Sequence, residues 1–278
     1  MVKELSIIEI AKKQISIETN YSISDAIRIM HESKISRLIV KQNKKTVGII
    51  SEKDIGLFLF SENVKQGLDK IRISNIMKPI KFVNKDTTPE NAAKQMIENE
   101  ISSLIIEENN VELIFTKTDL VRLFSKNSSK VKVVDFMAKN YEFTYTSAPL
   151  YKVLRKMLTK KVSRLVVKNQ NEEPVGIISF RDLFRISLEL GSEEDFSGVN
   201  LSKNIREGFL SETGFGNISL ARDVMSKDIV SIKFNETLTN ACDIILENGV
   251  SGLVVLDGNE GIAGIISKTD VIRALAST

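Results

Sequence analysis

Four copies of one recurring stretch place a hydroxyl residue three positions ahead of an aspartate: Ser51 and Asp54 in GIISEKD, Thr116 and Asp119 in LIFTKTD, Ser179 and Asp182 in GIISFRD, Ser267 and Asp270 in GIISKTD. Two kinds of chemistry suit that spacing. A Ser or Thr at a helix N-cap with an acid at the third position approximates a capping box, which satisfies N–H groups left unpaired at a helix start and is worth ~1 kcal/mol. The same geometry offers free N–H donors and a partial positive charge to an anion, and the carboxylate can accept two adjacent hydroxyls, as on a ribose. All four acids are Asp, although Glu or Gln completes a capping box better, which leans toward a ligand. On physics alone the two readings stand level.

Either chemistry requires a strand to end, and a helix to begin, at the hydroxyl. Upstream, ISRLIV (35–40), ISSLII (101–106), VSRLVV (162–167) and VSGLVV (250–255) fill one column and read as buried strands. Earlier still, Ser22-Ile23, Thr88-Pro89-Glu90 and Thr237-Leu238 mark helix starts, and SDAIRIMHE and TNACDIILE show apolar spacing at three and four. The turns NQNEEP (169–174) and DGNEG (257–261) place a hairpin between the last two strands. The unit is therefore β-α-β-β-α, repeated four times, and the fold class is α/β (α+β). A unit of about 60 residues buries both faces of its sheet poorly alone, so pairing is expected.

The repeats alternate. One and three share Ser-Arg-Leu, with Arg37 and Arg164; two and four share Lys-Thr-Asp, with Thr118 and Thr269, followed by Arg122 and Arg273. That alternation groups one with two and three with four. The expected domains are 1–127 (units about 5–60 and 72–126) and 128–278 (units about 131–190 and 220–278). The insertion over 190–220, rich in Gly, Ser and Asn, reads as a linker in preference to a ligand lid or partner arm.

At 278 residues and 42% hydrophobic content the chain can bury ordinary cores. A net charge of +3 is too slight to argue for nucleic acid. KQNKK (41–45) and SKNSSKVK (125–132) are locally basic, but acids are interleaved and no aromatic platform is visible. RNA binding is thus a weakly supported alternative, as is a scaffold with empty clefts. The single cysteine, Cys242 in ACDIIL, makes no internal disulfide or cysteine zinc site and reads as core. The single histidine, His31, reads as surface. With no histidine cluster and no P-loop, neither catalytic residues nor a metal site are expected. MVKELSIIEIAKKQ lacks the apolar core of a secretion signal, and no run approaches a membrane span, so a cytoplasmic location is expected.

A helix start, h-S-R-L-h-V, a hairpin, G-I-I-S-x-x-D and a closing helix together resemble the CBS domain, named after cystathionine beta-synthase. The resemblance covers nearly the whole chain outside 190–220. It implies two pseudo-twofold Bateman modules whose clefts bind adenosine compounds such as AMP, ADP or ATP as regulatory ligands, with no obligatory cofactor. It further implies a non-catalytic sensor that relays occupancy to a separate regulated protein, with module faces able to form a homodimer. By position, Asp54, Asp119, Asp182 and Asp270 match the family's ribose-binding aspartate, and Ser51, Thr116, Ser179 and Ser267 its hydroxyl near the phosphate. Arg37 and Arg164 match a basic position that reaches phosphate across the cleft. Ile15, Ile17, Val83, Val230 and Ile232 match adenine walls, with core packing as the competing reading.

Two departures stand out. Leu113 replaces the glycine found at Gly48, Gly176 and Gly264, which on this reading narrows one half of a cleft. The first repeat opens with EIAKKQ where the third and fourth have Asp135-Phe136-Met137 and Asp223-Val224-Met225. Combined with the alternation, the resemblance places a nucleotide on Thr116, Thr118 and Asp119 or on Ser267, Thr269 and Asp270. Its phosphate then meets Arg37 or Arg164.

Overall fold

A computed structural model describes residues 6–61, 67–108, 111–126, 129–182, 184, 220–259 and 261–277. The 190–220 insertion, expected to be a linker, lies outside these apart from Leu220. After a short strand β1 (Lys12–Lys13), the first repeat runs β2 (Ser16–Glu18), α1 (Ile23–Glu32), β3 (Arg37–Gln42), β4 (Lys45–Ser51) and α2 (Glu52–Ser61). The second runs β5 (Phe82–Val83), α3 (Pro89–Glu98), β6 (Ser103–Glu108), β7 (Val111–Thr116) and α4 (Lys117–Ser125). A helical turn α5 (Val133–Phe136) leads into β8 (Phe143–Tyr145), α6 (Leu150–Thr159), β9 (Arg164–Lys168) and β10 (Pro174–Ser179). The turn α7 (Ala221–Val224) leads into β11 (Ser231–Lys233), α8 (Leu238–Glu247), β12 (Gly252–Leu256), β13 (Ile262–Ser267) and α9 (Lys268–Ala276). In each repeat the first strand pairs parallel to the second, and the second antiparallel to the third. The mixed α/β unit read from the sequence is the one observed.

The helix starts have the expected causes. Ser22 accepts from the Asp25 N–H at 3.1 Å, and Asp25 Oδ2 accepts from the Ser22 N–H at 3.0 Å, a complete capping box. Thr88, with Pro89 at the first helical position, accepts from the Asn91 N–H, and Thr237 accepts from the Asn240 N–H. His31 is exposed.

The chain divides into two compact units that combine alternate repeats. One comprises Met1–Gln14, Ile80–Tyr141 and Ile229–Thr278, and so holds repeats two and four; the other, Ile15–Pro79 and Glu142–Asp228, holds repeats one and three. In the first unit α9 packs on α3 and α4, and α8 on α4. A single core joins Met96, Phe115 and Phe124 of repeat two to Cys242, Ile245 and Val271 of repeat four. This is the partner burial that so small a sheet requires. In the second unit Phe184 lies in the core of repeat one and Leu57 packs on that of repeat three.

Cys242 is fully buried within the first unit. Burial, aided by the Asp243 charge, pushes its thiol up to about 12. The thiolate is the reactive form, so the native protein at pH 8 should react with a thiol reagent only as fast as local opening exposes this side chain. Rapid stoichiometric labelling before any unfolding signal would contradict that.

A six-residue leader precedes each repeat: Ile7–Lys12, Ile73–Lys78, Val133–Ala138 and Ala221–Ser226. Each begins with a fully buried residue and makes a helical turn. None stays on the repeat that follows it. The second leader docks on repeat one, where Lys78 and Ile49 exchange two backbone hydrogen bonds of 2.8 and 2.9 Å. The fourth docks on repeat three through Ser226 and Ile177, and the third on repeat four through Ala138 and Ile265. The first docks on repeat two, where β1 pairs with β7. Leaders are therefore exchanged between repeats one and two, and between three and four.

This exchange explains the glycines. A Cβ on Gly176 would lie 2.8 Å from both the Ser226 carbonyl oxygen and Met225 Sδ; one on Gly48 would lie 3.0 Å from the Lys78 oxygen and Met77 Sδ. One on Gly264 would drive into the Ala138 carbonyl. The glycine admits the visiting leader's backbone, not a ligand. Leu113, the exception, faces the one leader that carries Ala11 where the other three carry Met77, Met137 and Met225. A large side chain has moved from the leader to the strand. Leu113, expected to narrow one half of a cleft, thus accompanies an exchange of volume between leader and sheet.

Candidate functional site

All four hydroxyl–aspartate pairs sit where a last strand turns into a helix, and in all four the aspartate caps. Asp119 Oδ2 accepts from the Thr116 N–H at 2.9 Å and hydroxyl at 2.6 Å; Asp270 Oδ2 accepts from Ser267 at 2.8 and 2.6 Å. Asp182 Oδ2 accepts from Ser179 at 2.7 Å twice, and Asp54 Oδ2 from the Ser51 N–H at 3.0 Å and from its hydroxyl. The capping reading is therefore observed. It also settles where each hydroxyl proton goes, since a hydroxyl has one and an ionised carboxylate can only accept. Ser51, Thr116, Ser179 and Ser267 donate theirs to their own aspartates in this arrangement.

The cap consumes only one carboxylate oxygen. Asp119, Asp182 and Asp270 are buried, at 3%, 5% and 5% exposure, and what meets the second oxygen separates the repeats. Asp119 Oδ1 meets Arg122 at 3.1 Å and Lys12 at 3.7 Å; Asp270 Oδ1 meets Arg273 at 2.8 Å. The side chains of these cations are 42–62% exposed while their carboxylates are buried. Asp182 Oδ1 instead accepts from the hydroxyl of Ser226, in the visiting leader, at 2.9 Å.

Within each unit two of these turns meet reciprocally. In the unit of repeats two and four, Lys117 Nζ donates to the Thr269 hydroxyl at 3.1 Å and Lys268 Nζ donates to the Thr118 hydroxyl at 3.0 Å. Because each threonine accepts from a lysine, its own proton remains for another acceptor. In the unit of repeats one and three the same two positions carry Arg181 against Glu52, at 3.6 Å, and Lys53 over the Phe180 ring, at 5.1 Å. One junction holds two lysines and two hydroxyls; the other holds an acid–base pair and an aromatic contact.

Arg37 and Arg164 open their middle strands, in register with Ser51 and Ser179 of their own repeats. Arg164 is buried, at 8% exposure, and Arg37 half-buried. Among the expected adenine walls, Ile17 and Ile232 are core residues, Val83 and Val230 pack against the core, and Ile15 is exposed. Sequence reasoning did not single out Lys12 or Ser226 as site residues. Both lie on leaders, far along the chain from the aspartates they meet. Lys117 and Lys268 were within reach, inside the shared Lys-Thr-Asp. Among the described residues no cluster of His, Cys, Asp and Glu could hold a metal ion, and no helix is long and apolar enough to cross a membrane.

Comparison with known proteins agrees with the repeat. The family model described as CBS domain matches residues 2–59, 73–126, 133–189 and 221–277. The uncharacterized protein MJ1225 of Methanocaldococcus jannaschii is 26% identical over 95% of this chain and 96% of its own length. Its crystal structure, described as that of a proposed archaeal homolog of g-AMPK, superposes with a TM-score of 0.80 at 25% identity, covering 98% of this chain and all of that one. A conserved protein of Pyrococcus horikoshii shares the fold at a TM-score of 0.64 and 18% identity, again over 98% of this chain and 100% of its own.

Proposed function

The chain belongs to the CBS domain family, and from that premise we propose that it is a non-catalytic sensor that binds adenosine nucleotides and relays their presence to a separate protein. One observation carries the reading. In the unit of repeats two and four, each buried aspartate keeps one oxygen in its cap and turns the other toward a cation whose far end lies in solvent. A ribose needs a fixed acceptor and a phosphate needs cations that can move. Here the arginine can leave Asp119 or Asp270 for the phosphate as the ribose hydroxyls arrive, so no charge is left buried without a partner. Thr118 and Thr269 each retain a hydroxyl proton for phosphate oxygen, and Lys117 and Lys268 add positive charge beside them.

The described homology of MJ1225 to g-AMPK supports the same ligand class. Its match over nearly the full length of both chains extends that support to all four repeats. Each consecutive pair, 1–127 and 128–278, then forms one module tied by its exchanged leaders. The unit of repeats one and three is the weaker binder, because its helix starts are already joined by Arg181–Glu52 and Asp182 is engaged by Ser226.

A thermal-shift panel of AMP, ADP, ATP, GMP and GTP tests this. A ligand at one hundred times its dissociation constant adds ~2.7 kcal/mol to the unit that binds it. Adenosine nucleotides should raise the transition by several degrees and guanosine nucleotides should not. Equal shifts for both bases would leave a phosphate site without a nucleoside reader, and no shift at any concentration would remove the reading.

A further inference from the structure

The outer surface of α6 differs in sign from its counterparts. In the other repeats this helix carries acids, Asp25 and Glu32 on α1, Glu90 and Glu98 on α3, Asp243 and Glu247 on α8, whereas α6 has none. From Phe143 to Asn171 every charged residue is Lys or Arg. Part of this charge is used locally: Lys156 lies 3.1 Å from Glu142, donates to the Phe143 carbonyl and sits over the Phe143 ring, and Lys160 lies 3.8 Å from Glu142. Lys152, Arg155 and Lys161 are exposed and have no ion-pair partner among the described residues.

The same surface carries apolar side chains. Leu150, Val153, Leu154 and Met157 face the core, so helical spacing turns Tyr151, Arg155, Leu158 and Lys152 outward. Tyr151 and Leu158 are 42% and 46% exposed and stand seven residues apart, which is two turns along one line, with Arg155 and Lys152 beside it. A short apolar line bordered by cations complements an amphipathic helix with apolar residues at the same spacing and acids along its flank. We infer that the outer face of α6 docks an acidic amphipathic helix of a partner protein. Nucleic acid would use the cations and leave Leu158 without a role, and a membrane surface calls for a wider apolar face. Charge sign and seven-residue spacing together select the helix. The inference is independent of nucleotide binding, and its test uses none.

The probe is a fluorescein-labelled synthetic helix with leucines at seven-residue spacing and flanking glutamates, titrated into the full chain and read by anisotropy. Arg155→Glu and the pair Tyr151→Ser with Leu158→Ser should each weaken binding by at least about tenfold. Circular dichroism should be unchanged, because all three positions are exposed. A peptide of identical composition with the apolar line broken should bind as weakly as the variants. The inference is overturned if the broken-line peptide binds equally, if either variant keeps full affinity, or if the intact chain shows no saturable binding. It is equally overturned if the designed helix fails while phosphatidylserine vesicles or a single-stranded RNA bind and lose affinity in these variants.

Discussion

Gly264→Ala is expected to destabilise the unit of repeats two and four by about 3 kcal/mol, near the top of the range for forcing an extra carbon into a packed site. The new Cβ would collide with the Ala138 carbonyl and come within 3.2 Å of its carbon, both backbone atoms held by the paired hydrogen bonds between Ala138 and Ile265. Backbone pinned on both sides cannot give way as a side-chain end can. Gly176→Ala meets one backbone oxygen and one methionine sulfur at 2.8 Å, and Gly48→Ala meets the same pair of groups at 3.0 Å. The expected order of cost is Gly264, then Gly176, then Gly48, the last at about 1 kcal/mol. Gly258→Ala, which meets nothing within 4 Å, is the control. Urea midpoints with unchanged slopes read the order directly. A Gly264→Ala midpoint equal to that of Gly258→Ala would mean that the leader does not press on this strand.

Asp119→Ala combined with Asp270→Ala should lower adenosine-nucleotide affinity by roughly 100-fold, the loss of charge-assisted hydrogen bonds worth about 3 kcal/mol at each site. Both residues also cap α4 and α9, so the variant should lose stability as well. Asp25→Ala supplies the comparison, since it removes a capping box of the same kind, on α1, outside the four turns that close the repeats. Each protein is compared with its own ligand-free transition by calorimetric titration and thermal shift. Asp25→Ala should melt lower yet bind normally, while the double variant should melt lower and bind poorly. Undiminished affinity in a folded double variant would leave these aspartates as caps and nothing more.

Much of this was legible in the sequence, for identifiable reasons. Ser22, Thr88 and Thr237 announce their helices because capping is decided within four residues, and the column from ISRLIV to VSGLVV announces buried strands because burial on both faces leaves an unbroken apolar run. Cys242 follows from its place in an apolar helix face. The leaders were opaque for the opposite reason. Ile73 or Val133 has the same local pattern whichever sheet receives it, so nothing nearby in the chain reveals that Met77 lies over Gly48 or that Ser226 reaches Asp182. The glycines were correctly noticed and differently explained, since a backbone that must be approached looks the same to the sequence whether the visitor is a nucleotide or another strand. The reciprocal contacts of Lys117 with Thr269 and Lys268 with Thr118 could be guessed only once repeats two and four were known to share a core.

The exchanged leaders also set a timetable. As the chain leaves the ribosome at about 5–20 residues per second, repeat one is complete before its visitor, Ile73–Lys78, has been made, while repeat two finds Ile7–Lys12 already waiting. During that interval the strand beside Gly48 presents unpaired backbone to any neighbour. At high concentration a second copy's leader can take the place first, since the two leaders are identical and only their tethering differs. Refolding from denaturant should therefore yield a growing fraction of leader-swapped dimer as protein concentration rises, made of native contacts throughout and separable from monomer only by size.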